Sequence, residues 1–161
     1  MKKDGVKLVT FRLGVDLFAV DVFCVERVLR YVAPSSVPDV PQWIEGVLPY
    51  RETVIPVVDM RRRIALPDDS VTPETRILVF TTSEGWVGAT VDAVLEVAIV
   101  AQASITPPPT LFRGLAAQFM KGIAKVGEQV IIVLDVDRVL TSSDRLSFEA
   151  VIQEMEPAIR G

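Results

Sequence analysis

The chain has 161 residues, half of them hydrophobic, with 17 Lys and Arg against 21 Asp and Glu, a net charge of −4, one cysteine and no histidine. That length holds one domain, or two small halves in tight contact. The charge balance lacks the basic stripe of a nucleic-acid binder, the missing histidine excludes a conventional catalytic triad and a His/Cys zinc site, and Cys24 alone cannot form an intrachain disulfide.

From the N-terminus, Met-Lys-Lys-Asp-Gly leads directly into a strand pattern with no apolar leader core. No apolar run reaches the roughly 18 residues of a membrane helix. Val94–Ala101 and Val130–Val136 are interrupted by Glu96 and Asp135 and are strand-sized. A cytoplasmic protein without membrane insertion is expected.

Strand-like runs rich in Val and Ile follow one another: Lys7–Leu13, Leu17–Val20, Thr53–Val58, Arg76–Thr81, Val87–Val91, Glu96–Val100, Lys121–Val126 and Val130–Leu134. Gly14-Val15-Asp16, Ser83-Glu84-Gly85 and Gly127-Glu128 read as hairpin turns between them. Pro56 lacks a ladder donor, which predicts an edge or bulged position for its strand. Cys24, in Val-Phe-Cys-Val, reads as a small buried hydrophobe. Arg61-Arg62-Arg63 reads as a solvated helix face.

One unit recurs. An apolar strand, an aspartate and a short helical pattern appear at Asp21, Asp59, Asp92 and Asp135. An aspartate at that place accepts from the free N–H groups of a helix start and suits its positive end. All four are expected to cap helices. The repetition suggests two related halves, the second beginning near Thr75 after the polar stretch Pro67–Glu74. Thr106-Pro-Pro-Pro forms an extended connector. Phe148, Val151, Ile152 and Met155 have helical spacing, which predicts a terminal amphipathic helix over Ser147–Glu156. Many short strands with brief helices predict small antiparallel barrels rather than a parallel α/β sheet.

Catalytic candidates are few. Asp135 with Asp137, or Asp68 with Asp69, could serve as a carboxylate pair in a small hydrolase. The first pair sits at a capping position, and the second lies in a polar linker. No phosphate-cradling glycine loop occurs. The sequence therefore reads as a non-enzyme with no cofactor and no metal.

Gly46–Arg61, Gly-Val-Leu-Pro-Tyr-Arg-Glu-Thr-Val-Ile-Pro-Val-Val-Asp-Met-Arg, carries an Arg-bearing tip ahead of an apolar strand. It resembles the signature of CheW-type adaptors, approximately Gly-Val-x-Asn-Leu-Arg-Gly-x-x-Ile-Pro-Val-Val-Asp-Leu-Arg. The likeness extends from Leu8-Val-Thr-Phe-Arg-Leu-Gly through Pro38–Val47, Val87–Val97 and Ile105–Pro109 to Val130–Asp135. These blocks span roughly residues 7–141.

The resemblance implies a mainly β fold of two five-stranded SH3-like barrels packed together, with short helices and a C-terminal helix. We expect one CheW-like domain over 1–161, with barrel 1 from 15–66 plus 136–161 and barrel 2 from 7–14 plus 73–135. It implies a non-enzymatic adaptor that couples a chemoreceptor's cytoplasmic tip to the regulatory domain of a CheA-type histidine kinase, at receptor arrays beneath the inner membrane. Val25, Arg27, Arg51, Arg76, Gly88 and Val97 map to the receptor groove, and Gly46 and Val47 to the kinase contact. Trp43 is expected as a core or inter-barrel anchor. Two departures stand out. Pro49-Tyr50-Arg51-Glu52 replaces Asn-Leu-Arg-Gly, and Arg27 occupies a position that is usually acidic. They motivate an alternative, a CheW-like regulator that binds only the kinase or only the receptor in a divergent chemosensory or motility system.

Overall fold

A computed structural model describes residues 5–67, 70–108 and 115–140. The expected terminal helix at Ser147–Glu156 and the Asp68–Asp69 pair lie outside these residues. The strands are β1 (Gly5–Leu13), β2 (Asp16–Asp21), β3 (Val25–Arg30), β4 (Ile44–Tyr50), β5 (Thr53–Asp59), β6 (Arg76–Thr82), β7 (Gly85–Val91), β8 (Ala93–Ala101), β9 (Ile105–Thr106), β10 (Met120–Val126) and β11 (Gln129–Leu134). One α-helical turn, α1 (Met60–Arg63), follows β5. All eight expected strands are present, and the three expected hairpin turns join β1 to β2, β6 to β7 and β10 to β11.

Two sheets result, ordered β8-β1-β2-β11-β10-β9 and β3-β6-β7-β5-β4. Apart from the two-residue β9, they have one plan. An antiparallel hairpin (β1–β2, β6–β7) runs parallel to the last strand of a second hairpin (β10–β11, β4–β5), and a further strand flanks the first (β8, β3). The two halves of the sequence therefore follow the same strand plan, but they exchange strands. The first half sends β3, β4 and β5 into the sheet built on β6–β7, and the second half sends β8, β10 and β11 into the sheet built on β1–β2.

The expected division of residues between barrels is thereby corrected. β1 lies beside β2, not apart from it, and β6 and β7 join β3, β4 and β5. The polar stretch Pro67–Glu74 looked like a boundary, yet it connects strands of one sheet. Strand pairing across it overrides it, because β6 pairs with β3 and β7 with β5.

Side-chain alternation decides where the cores form. On β1, Val9, Phe11 and Leu13 face one way and Leu8 the other; on β6, Leu78 and Phe80 oppose Val79. The first set meets between the sheets in the largest cluster, where Phe11 and Phe80 are fully buried. Each such side chain stabilises by about 1.5–3 kcal/mol, and Phe11→Ala would remove about 3–5 kcal/mol. The opposite faces curl on themselves. Leu8, Ala19, Val100, Ala124, Ile131 and Val133 fill one sheet, and Tyr50, Ile55 and Val79 with Leu29, Leu48 and Trp86 fill the other. Strands from both ends of each sheet share these clusters, which is how each sheet closes into a barrel.

Two glycines mark equivalent places in the halves. A Cβ on Gly46 would stand 2.2 Å from the Ser35 carbonyl oxygen, and one on Gly122 would stand 2.7 Å from that of Thr106. Each sits where its strand shifts register. Only the missing side chain permits a neighbouring segment to bond there, as Ser35 does in exchanging N–H and C=O with Val47 at 2.9 Å.

Pro56 is not on an edge, since β5 lies between β7 and β4. Val47, its partner across β4, directs both backbone groups to Ser35, so the missing donor of Pro56 points towards β7. Pairing with β7 begins only at Val57. The lost hydrogen bond falls just outside the ladder.

Three of the four aspartates cap as expected. Asp21 accepts from the Phe23 N–H at 2.9 Å, Asp59 from Arg61 at 3.0 Å, and Asp135 from Asp137 at 3.0 Å. The turns that follow Asp21 and Asp135 are 3-10 helices (Val22–Cys24 and Val136–Arg138). Asp92 instead precedes β8. It accepts from the Gly14 N–H at 2.7 Å and from Arg61 Nε at 2.8 Å, tying the β1–β2 turn to α1. Burial pushes its carboxyl up, but the hydrogen bonds from Arg61 and Gly14 and the charges of Arg61 and Arg12 outweigh this and hold it below the usual carboxylate range.

The basic triplet is not a solvated face. Arg61 is committed to Asp92, and Arg63 is buried, 3.7 Å above the Trp43 ring and 4.6 Å from that of Phe119. Trp43 precedes β4 and Phe119 precedes β10, so Arg63 joins the two sheets and Trp43 is an inter-barrel anchor. Cys24 is half-buried against the inter-sheet core, and its thiol is pushed up, first by burial and then by Asp21.

Candidate protein-docking surface

The tip between β4 and β5 is built from two residues, Arg51 and Glu52, with Tyr50 paired to Thr53. Arg51 takes φ 51°, a left-handed backbone that costs an L-residue about 1 kcal/mol. The strain is held by its side chain. The guanidinium Nη2 lies 2.9 Å from Glu26 Oε2 and stands 5.4 Å from the ring centroids of both Tyr50 and Trp86. Tyr50 packs edge-on against Trp86 and donates to Glu26 at 3.3 Å. Glu26 occupies the bulge of β3, between Val25 and Arg27. A half-exposed arginine is thus fixed in one orientation at the mouth of a barrel.

The other expected contact residues divide into three groups. Val25 and Arg27 lie on β3, Val25 against the inter-sheet core and Arg27 exposed. Arg76 opens β6 directly opposite Arg30. Val97 is 52% exposed on β8, in the other sheet, with Ile99, 70% exposed, on the same face. The β3–β6 pair and the tip come together through Glu26. Val97 is not brought to them; of its strand it is Val94 that packs, with Val25 of β3, on the inter-sheet core.

Gly88, Gly46 and Val47 are buried. A Cβ on Gly88 would stand 3.1 Å from Ile77 Cγ2 and 3.3 Å from Val57 Cγ2. Val47 is fully enclosed, and Gly46 serves the contact with Ser35. Their side-chain positions are enclosed within the fold. They support the surfaces above them.

The carboxylates that could have suggested hydrolysis are occupied with backbone. Asp137 accepts from the Ser83 N–H at 2.7 Å, and Asp135 caps the turn beside it. Among the described residues no cluster of His, Cys, Asp and Glu could hold a metal ion, and no helix is long and apolar enough to cross a membrane.

Sequence reasoning missed Trp86, Glu26 and Ile99 as parts of these surfaces. Ile99 had a signal, the alternation Leu95, Val97, Ile99. Trp86 had none until β7 was folded against β5.

Comparison with known proteins agrees with the geometry. The CheW-like domain matches residues 7–144. The chain is 30% identical to "Chemotaxis protein CheW" of Bacillus subtilis over 138 residues, covering 86% of this chain and 88% of that protein. It is equally 30% identical to "Protein FrzA" of Myxococcus xanthus, over 83% of this chain and 84% of that one. The crystal structure of the scaffolding protein TtCheW from Thermoanaerobacter tengcongensis superposes with a TM-score of 0.81 at 30% identity, covering 86% of this chain and 94% of that chain. With two curled sheets, a shared inter-sheet core and a match over most of its length, the chain belongs to the CheW-like domain family.

Proposed function

We propose that this protein is a non-enzymatic adaptor that couples the cytoplasmic tip of a chemoreceptor to the regulatory domain of a CheA-type histidine kinase. The observation that carries the reading is the likeness of the whole fold to a scaffolding CheW protein, at a TM-score of 0.81. In this reading the receptor's helical hairpin lies against the β3–β6 edge and the tip, with Val25, Arg27, Arg51 and Arg76 as contacts and Val97 on the other sheet. An apolar face enters the groove, and the directional donors of an arginine fix its orientation. The kinase meets the barrel end that Gly46 and Val47 underpin. The site of action is the cytoplasm, at receptor arrays.

Titrating the protein with the receptor tip and the kinase regulatory domain from its own organism tests this. Binding to both, with a ternary complex on gel filtration, is expected; binding to neither removes the reading. A second reading, a regulator of one partner only, is favoured by Arg27. An arginine in place of an acidic residue inverts the charge offered there, which discriminates against partners of the usual sign. Tight binding to one partner and none to the other would select it.

A further inference from the structure

β3 and β6 run on past the inter-sheet core, and their register places Val28 opposite Leu78 and Arg30 opposite Arg76. Side chains two apart on a strand share a face, so Val28, Arg30 and Arg76 stand together where Leu78 points inward. Beside them opens a cleft of about 360 Å³, whose walls include Arg30, Tyr31, Val71, Thr72 and Arg76. Val71, 57% exposed, is an apolar part of its wall, and Val28, 43% exposed, stands two residues from Arg30 on the same face of β3.

The two arginines are differently prepared. Arg76 Nη1 donates to the carbonyls of Pro73 at 2.8 Å and Thr75 at 2.9 Å. That clamp fixes the guanidinium and leaves its other nitrogens without a hydrogen bond among the described residues. Arg30 is exposed and has neither a hydrogen bond nor an ion pair among them. Like charges directly opposite on neighbouring strands repel at a Cβ separation of about 5 Å. This arrangement sits in a protein of net charge −4, where unspecific attraction of anions is weak and local geometry decides. An anion between the two forks would turn the repulsion into attraction, and a carboxylate matches a guanidinium fork in shape.

We propose that this cleft receives an Asp or Glu of an acidic segment on a partner protein, the carboxylate bridging Arg30 and Arg76 while an adjacent apolar residue rests on Val28 and Val71. The inference rests on the adaptor reading and adds the sign of the partner's surface to it. It also separates Arg30 from Arg27, which faces the other side of β3.

The probe is a pair of twelve-residue peptides, one alternating Glu with Leu and the other Lys with Leu, titrated against the full chain. The acidic peptide is expected to bind at least tenfold more tightly, with affinity falling as salt rises. Arg30→Glu and Arg76→Glu are expected to abolish the preference, and Arg30→Gln and Arg76→Gln to reduce it if the reversals disturb folding. Equal binding of the two peptides, or a preference untouched by all four variants, overturns the proposal. So does saturation by inorganic phosphate below millimolar concentration without peptide preference, which would assign the cleft to a small anion. Titration with the receptor tip and kinase domain in parallel reads the adaptor function separately. Failure there with an intact acidic preference removes the adaptor reading alone.

Discussion

Glu26 holds Arg51 at 2.9 Å, and the pair spans the gap between the bulge of β3 and the turn after β4. The arginine that family resemblance assigns to receptor contact is therefore already engaged inside the molecule. A partner at this tip must compete with Glu26 or bind the pair as it stands.

Arg51→Gly separates the two roles of this residue. Glycine relieves the left-handed strain of about 1 kcal/mol, and losing the half-exposed ion pair costs about 0.2–1 kcal/mol. Losing the contact with the Tyr50 and Trp86 rings adds about 0.5–1 kcal/mol to that cost, so chemical denaturation should show a stability within about 1 kcal/mol of the parent. Receptor-tip affinity should fall more than tenfold. Unchanged affinity would make Arg51 a purely structural member of the Tyr50–Trp86 cluster.

Gly46→Ala should behave as a packing mutation. Its Cβ would meet the Ser35 oxygen at 2.2 Å, and relief requires moving the segment that bonds to Val47. A loss of about 3 kcal/mol is expected, lowering Tm by roughly 10 °C for a domain of this size. A Tm close to the parent's, with kinase binding lost, would mark Gly46 as a contact residue.

Arg63→Lys keeps the charge and loses the planar contact with Trp43 and Phe119. Lysine is a poor replacement at a stacked site. The expected destabilisation is about 2 kcal/mol, combining the cation–π contribution with the 2.9 Å bond to the Val139 carbonyl. Quenching of Trp43 fluorescence should change with it. Thermal unfolding identical to the parent's would show that the aromatic pair joins the sheets unaided.

Asp92 gives the fold a defined acid limb. Its carboxyl is held below the ordinary value of 3.8 in the folded state, so the folded protein binds this proton less readily than the unfolded chain. The stabilisation is complete above the unfolded pKa and is lost as pH falls through the lower folded value. Stability of the parent should therefore drop below about pH 4, and Asp92→Asn should be less stable near neutrality with a shallower acid decline. Parallel acid limbs in urea titrations would place the acid sensitivity elsewhere.

How much of this was legible in the sequence depended on what each residue answers to. The alternating strands and two-residue turns follow local rules, and they are where the sequence placed them. β3 was hidden because Val25, Val28 and Leu29 fall at helical spacing, and β4 because it holds Gly46 and Pro49. β3 is fixed by β6, distant in sequence, whereas β4 pairs with β5 across the two-residue tip. Asp92 has the same local context as the three capping aspartates, yet Arg61 and Gly14 reach it only after the sheets assemble. The burial of Gly46, Val47 and Gly88 has the same origin. Motif likeness marked them as important without distinguishing a touching residue from a supporting one.

The exchange of strands has a consequence for how the chain can be divided. A cut between Pro67 and Ser70 would leave an N-terminal fragment with the β1–β2 hairpin but without β8 and β11, which flank it, and a C-terminal fragment with β6–β7 but without β3 and β5. Neither fragment could assemble a barrel by itself, whereas mixing them would let each supply what the other lacks. Such a molecule has halves in its topology but none in its folding.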